Sequence, residues 1–418
     1  MTPSPSLLPR AWLVVGLLWL VGCLNYLDRV MITTMRGSLT EAIPMTDAQF
    51  GLLTSVFLWI YGLLSPFAGY LADRFNRSRV IIGSLFAWSA ITWLTAHATT
   101  FNELLLTRAL MGVSEACYIP AALALIADYH RGSTRSFATG LHMSGIMVGS
   151  ALGGLGGWIA EREGWAHAFE IFGLAGIVYT LIVAVLLRDA PRDPGVDAGQ
   201  TTASSSALPP VSLVSALRSL FSQRGFIMAL AYWGLLGLTG WAVVGWMPTY
   251  LKEHFSLPQG EAGLMATGYL QTSALLGVLI GGAWADRWSR TDERGRIYVP
   301  MIGLLVASPA ILLASTINWL PLALAGLVVF GLARAFSDSN MMPILCMVTD
   351  ARYRATGYGV LNLFSCVVGG FTIYAGGVLR DAQIDVSRVF QFAAFSILIC
   401  VGLLFSIRAK AKTAPPHP

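Results

Sequence analysis

The sequence predicts an all-α integral membrane protein: twelve transmembrane helices in two six-helix pseudo-repeats, with both termini in the cytoplasm. Three observations lead there. Of 418 residues, 55% are apolar and only 12% charged, with mean hydropathy +0.65. A soluble domain carries about 25% charged residues. Twelve stretches reach the roughly 20 apolar residues that cross a bilayer. Lys and Arg then fall mainly on one side of the threaded chain. This composition excludes an ordinary cytosolic enzyme, a disordered chain and a secreted disulfide scaffold.

In order, the spans run at about 11–34, 47–71, 79–97, 102–127, 135–160, 166–187, 225–250, 261–285, 297–317, 319–349, 355–379 and 386–408. The first follows Arg10 and shows no small-residue cleavage site, so it is expected to be retained. Between the sixth and seventh spans, Pro191, Pro194, Pro209, Pro210 and the Thr201–Ser206 run read as a flexible linker. The expected organisation is a six-helix bundle over 1–190, a cytoplasmic linker over 191–223 and a second bundle over 224–418.

Charge placement sets the orientation. Of 27 Lys and Arg, three lie inside spans (Arg29, Arg108, Arg334) and five on one side (Arg36, Arg162, Lys252, Arg380, Arg388). The other 19 share the side that holds the termini and the linker, which marks it as cytoplasmic. The formal net charge of +5 is therefore topology charge. No basic run interleaves with aromatics, so nucleic acid is not an expected partner. Cys23, Cys117, Cys346, Cys366 and Cys400 all sit in apolar runs and read as small buried hydrophobes. Short loops and the lack of an outer N-x-[ST] site favour a bacterial inner membrane, with a multi-pass protein expected as a monomer among membrane lipids. The one such site, Asn76-Arg77-Ser78, lies in a cytoplasmic loop.

The halves echo one another. Gly69-Tyr70-Leu71-Ala72-Asp73-Arg74 ends the second span, and Gly282-Ala283-Trp284-Ala285-Asp286-Arg287 ends the eighth. Asp128 and Arg135 after the fourth span match Asp350 and Arg354 after the tenth.

Ionisable residues inside spans are costly and therefore functional candidates. Here they are Asp28, Arg29, Arg108, Glu115, Arg334 and Asp338. At 1.5 Å per residue, Asp28, Arg29 and Arg108 all lie roughly 9 Å inside the outer end of their spans. Glu115 follows Arg108 by seven residues, two turns on and on nearly the same face. Arginine stays charged and offers a fork that fits a carboxylate. A carboxyl in a low-dielectric cavity holds a proton more readily than in water. Protonating Glu115 would free a neighbouring Arg for a substrate anion, coupling proton and anion. The alternative is that Asp28–Arg108 and Arg29–Glu115 are pairs that only fix helix packing. Arg334 and Asp338 stand at i, i+4 and can satisfy each other, so they are left out of the core site.

With those residues in view, the chain resembles the major facilitator superfamily over nearly its whole length. The Gly-x-x-x-Asp-Arg-x-x-Arg loop at Gly69–Arg77 is that family's signature, with a degenerate copy at Gly282–Arg290. Within it, the chain is most similar to the anion:cation symporter group, which carries sugar acids and other organic anions with protons. The matches are Asn25-Tyr26-Leu27-Asp28-Arg29, Arg108-x-x-x-Gly112-x-x-Glu115-Ala116-x-x-x-Pro120 and Trp246-Met247-Pro248-Thr249-Tyr250-Leu251. Spinster-like lipid transporters share the Asp-Arg pair and the fourth-span Arg and Glu.

The resemblance implies proton-coupled symport of a small organic anion. Arg29 would hold the anion, with Asp28 and Glu115 as proton carriers. Tyr26, Tyr61 and Asn362 match cavity positions, and Ser339 and Asn340 sit where the family has polar contacts. Arg108, Gln271 and His142 join them as candidate cavity residues, each equally able to bond a neighbouring helix. Gly69, Asp73, Arg74, Arg77, Asp286 and Arg287 are candidate gating residues; the alternative is that the arginines only set topology. Gly145, Gly149 and Gly153 form a small-x-x-x-small stripe expected to pack closely. A spinster-like lysolipid transporter and a non-transporting sensor are the alternatives. No nucleophile–base spacing, metal-ligand spacing or phosphate loop occurs, so neither an enzyme nor an ATP-driven pump is expected. The proton replaces any cofactor.

Overall fold

A computed structural model describes residues 8–130, 134–190 and 213–407, with the side chains at 8, 69–73, 213, 214, 351 and 355 left aside. The described residues form helices and no strands. The first half contains α1 (Leu8–Thr34), short α2 (Arg36–Ala42), α3 (Asp47–Arg74), α4 (Arg77–Thr95), α5 (Phe101–Glu115), α6 (Tyr118–Tyr129), α7 (Arg135–Leu152), α8 (Gly154–Glu163) and α9 (Trp165–Leu186). The second contains α10 (Leu213–Phe221), α11 (Arg224–His254), α12 (Gln259–Trp288), α13 (Gly295–Ala314), α14 (Leu320–Val348), α15 (Arg354–Asp381) and α16 (Ser387–Ser406).

Eleven spans among the described residues are long and apolar enough to cross a membrane, against the twelve expected. The difference is α4. It is a full helix, but Arg77 and Arg79 open it and serine and threonine recur along it. Within the stretch expected as linker, residues 213–221 are helical; residues 191–212 lie outside the described part.

Two expected spans are broken, each for a local reason. Pro120 has no N–H, so the Ala116 carbonyl loses its i+4 donor and the helix yields between Glu115 and Tyr118. Glu115 thus ends α5 at the break. The fifth span divides at Gly153, between α7 and α8. The glycine stripe packs as expected. A Cβ on Gly145 or Gly149 would collide with the carbonyls of Trp19 and Cys23 on α1. Gly149→Val is expected to lower the melting temperature in detergent sharply, as overpacking costs about 1–3 kcal/mol or more. Melting alongside the wild type would contradict this contact.

The halves join along α3 with α15 and along α7–α8 with α12. Gly51 lets α3 approach the Ile373 carbonyl, 2.8 Å from where a Cβ would stand. Ser55 Oγ donates to Gly370 O at 2.6 Å and Trp59 Nε1 to Val367 O at 3.2 Å. On the other seam, Thr267 Oγ1 donates to Ala151 O at 2.8 Å.

The face made by the connections around 35–47, 254–259 and 381–387 is bridged by charges drawn from both halves. Arg36 Nε donates to Asp47 Oδ1 at 2.6 Å, and Arg36 Nη1 meets Glu253 Oε1 at 3.2 Å. Arg380 bonds Asp47 Oδ2 at 3.1 Å and both oxygens of Glu253 at 2.8 Å. Two further carboxylates act reciprocally. Asp381 accepts from the backbone N–H groups of Asp47 and Ala48, at 2.8 and 3.0 Å, at the start of α3. Glu161 accepts from Gly260 N at 2.8 Å, at the start of α12. Each half thus caps a helix N-terminus of the other, where negative charge is favoured.

Exposed caps at helix N-termini contribute about 0.3–1 kcal/mol each, so losing both is expected to loosen this face several-fold. Spin labels at Ala42 and Ile384 are expected to report a longer distance across this face in the variant carrying Asp381→Asn and Glu161→Gln. An unchanged distance distribution would show that the caps do not hold it closed.

Candidate functional site

The intramembrane charges of the first half meet in its interior. Asp28, Arg29, Arg108 and Glu115 are 1%, 2%, 0% and 0% exposed, so bulk water does not screen them. Arg29 on α1 turns the Nε–Nη2 edge of its guanidinium to Glu115 on α5. Both nitrogens donate to Glu115 Oε2, at 3.1 and 2.7 Å. Arg29 Nη2 also donates to Asn25 Oδ1 at 3.3 Å. Three rings surround the cation, with centroids 4.4 Å (Tyr26), 4.4 Å (Tyr61) and 4.8 Å (Phe57) from Arg29 Cζ. The elements explain the meeting: α1 brings Asn25, Tyr26, Asp28 and Arg29, α3 brings Phe57 and Tyr61, and the Pro120 break places Glu115 at the end of α5.

Asp28 and Arg108 do not form the direct pair considered from sequence. Thr92 on α4 donates its hydroxyl to Asp28 Oδ2 at 3.2 Å, while Oδ1 has no hydrogen-bond partner. Arg108 Nη1 lies 3.0 Å from Met111 Sδ, and its Nε and Nη2 make no hydrogen bond among the described residues. Only the Arg29–Glu115 half of the expected pairing is present. Depth arithmetic puts residues at one level but does not fix their rotation about the helix. Buried donors without partners are costly, and Arg108 keeps two of them.

The comparisons with known proteins give the family. The family model for the Major Facilitator Superfamily matches residues 18–373 and, a second time, 234–417. The chain belongs to the Major Facilitator Superfamily. It is therefore a multi-pass membrane transporter and not an enzyme. Among its relatives, an MFS-type efflux pump of Mycolicibacterium smegmatis is 27% identical over 90% of this chain and 86% of its own length. The 3-(3-hydroxy-phenyl)propionate transporter of Escherichia coli is 29% identical over 99% of this chain and 98% of its own. A crystal structure of a bacterial homolog of the human lysosomal transporter spinster, inward-facing and occupied, superposes with a TM-score of 0.79. It covers 95% of this chain and 96% of that one at 22% identity, a likeness of fold.

Other expected site residues of this superfamily member fall in three groups. Tyr26 and Tyr61 join the Arg29 cluster. Cys366 and Leu363 of α15 pack on Gly62 beside Tyr61, and half-buried Asn362 adjoins Leu363. Gln271 borders a small cleft with Val30 of α1 and Val243 and Pro248 of α11.

His142, Ser339 and Asn340 are not brought to the cluster. His142 is fully buried against Tyr118 and bonds Leu18 O through Nδ1 at 3.1 Å. Leu18 precedes Arg29 on α1 by roughly 16 Å of helix. Ser339 Oγ donates to Phe336 O at 3.1 Å, and Asn340 to the same carbonyl at 2.9 Å. Arg334 and Asp338 pair at 3.0 Å, as their spacing allowed.

Of the candidate gating residues, Gly69 and Asp73 lie on α3 with side chains outside the described part. Arg74 is exposed at the end of α3, and Arg77 pairs with Asp128 inside its own half. Asp286 accepts from Arg296 at 3.4 Å, and Arg287 is exposed. Sequence reasoning missed Phe57 and Thr92. An apolar ring and one more hydroxyl carry no signal until their partners are known.

Proposed function

We propose that this transporter is a proton-coupled symporter of a small organic anion, a carboxylate such as a sugar acid, working by alternating access. The observation that carries this reading is the dry Arg29–Glu115 pair. Glu115 occupies the guanidinium edge that a substrate carboxylate would use. Protonating Glu115 removes its charge and releases that edge, so anion binding takes up a proton. Asp28 is the second proton carrier, and Arg108 the second cation facing the anion. A relative named for a carboxylate substrate supports the class of cargo.

Lys and Arg placement supports cytoplasmic termini and linker, with α4 as the twelfth span. The face bridged by these charges then looks outward. The bundles over 1–190 and 224–418 move about the linker, with the loop after α3 as a gate.

One observation favours a lysolipid as the alternative cargo. A shallow, mostly apolar groove runs along α12 at Leu264, Met265, Tyr269 and Leu276, bounded by Val328 of α14. Thermal stabilisation of the purified protein at pH 5.5 and pH 7.5 separates the readings. One panel holds small carboxylates, including sugar acids and 3-phenylpropionate; the other holds lysophospholipids. Symport predicts stabilisation by a carboxylate, stronger at the lower pH. Stabilisation by lysophospholipid alone would replace it with the lipid reading.

A further inference from the structure

Among the described residues, Phe57 is the aromatic side chain whose ring lies against both buried cations. Its ring centroid lies 4.8 Å from Arg29 Cζ and 5.0 Å from Arg108 Cζ, and the residue is fully buried. It stacks on Tyr61 with centroids 5.9 Å apart and planes at 15°. The backbone explains how it reaches Arg108. A Cβ on Gly112 would stand 2.9 Å from the Phe57 carbonyl, so this glycine lets α5 press against α3. Arg108, one turn earlier on α5, then comes over the ring. The spacing Arg108-x-x-x-Gly112 thus has a packing cause.

The charge balance gives the ring a task. Glu115 pairs with Arg29, while among the described residues Arg108 has no carboxylate within hydrogen-bond reach and keeps Nε and Nη2 unpartnered. An acidic partner there would consume the donors a substrate anion needs. An aromatic face stabilises a cation through its quadrupole and takes no N–H. We infer that Phe57 is a positioning residue of the anion site, holding Arg29 and Arg108 side by side without taking an N–H donor from either. This rests on reading the cluster as a carboxylate site.

The test compares Phe57→Leu and Phe57→Met, which remove the ring, with Phe57→Tyr, which keeps it. Affinity for the tightest-binding carboxylate of a panel of 3-phenylpropionate, gluconate and benzoate is measured by titration. The two ring-free variants are expected to bind about tenfold more weakly, and the Tyr variant within about threefold of wild type. A residue that served packing alone would lower the melting temperature and leave that affinity unchanged.

A second measurement needs no ligand. Melting temperatures of Phe57→Met, Arg108→Met and the pair are compared as a cycle, with a combined loss smaller than the sum expected. Additive losses, or ring-free variants that bind like wild type, overturn the inference. Wild-type protein that binds no carboxylate overturns the symport reading instead. It also removes the anion role of Phe57, and the cycle then scores the ring–cation contact alone.

Discussion

Replacing Glu115 by glutamine is expected to abolish proton-driven accumulation of the anion while leaving exchange of anion across the membrane intact. Glutamine is close to Glu115 in shape and carries no charge in either state. It therefore mimics the protonated, anion-accepting form and cannot give the proton back. The structure adds a consequence for stability. Arg29 is 2% exposed and Glu115 is its only ion-pair partner among the described residues, so the variant leaves a buried cation uncompensated. Removing one partner of a buried pair costs about 3–5 kcal/mol. The empty variant is expected to melt well below wild type, and a bound carboxylate to recover much of the difference by supplying the missing charge. Accumulation equal to wild type in proteoliposomes with an imposed pH gradient would remove Glu115 from the coupling.

Arg29→Lys is the second large effect. Lysine keeps the charge but loses the planar fork and the Nε–Nη2 edge that now meets Glu115 Oε2 at 3.1 and 2.7 Å. Two charge-assisted hydrogen bonds to the substrate are worth roughly 1.5–3 kcal/mol each. Carboxylate affinity is expected to fall roughly a hundredfold or more, and a point charge does not restore it. The three rings packed on the guanidinium sharpen the contrast, since an ammonium at the end of a flexible stem does not lie flat among Tyr26, Phe57 and Tyr61. Lysine binding the carboxylate as tightly as arginine would show that charge alone, without the fork, recognises the anion. Unimpaired uptake of an anion by Arg29→Ala would exclude Arg29 from the site altogether.

The fold class was legible because each span is a long apolar stretch, and the site because charge inside such a stretch is costly. Asp28, Arg29, Arg108 and Glu115 stood out on that ground before any packing was known. Other features were hidden for identifiable reasons. Pro120 and Gly153 break helices within unbroken apolar stretches, which a length count does not register. Arg36 and Arg380 counted only as minority topology charges, yet together with Asp47 and Glu253 they tie the halves across one face. That role depends on which ends the tertiary fold brings together. His142 looked like a cavity histidine because it is polar in an apolar span; its bond to the Leu18 carbonyl shows a packing partner that spacing does not reveal. Phe57 was silent because phenylalanine in a membrane helix is ordinary until two arginines are found on its ring.

Coupling through Glu115 is tested most directly by counting protons taken up when a carboxylate binds. Calorimetric titration at pH 7.5 in buffers of different ionisation enthalpy gives that number. Release of the Arg29 edge by protonation predicts close to one proton per carboxylate bound by wild type, and close to none by Glu115→Gln. Tight carboxylate binding by wild type with no proton uptake would contradict it.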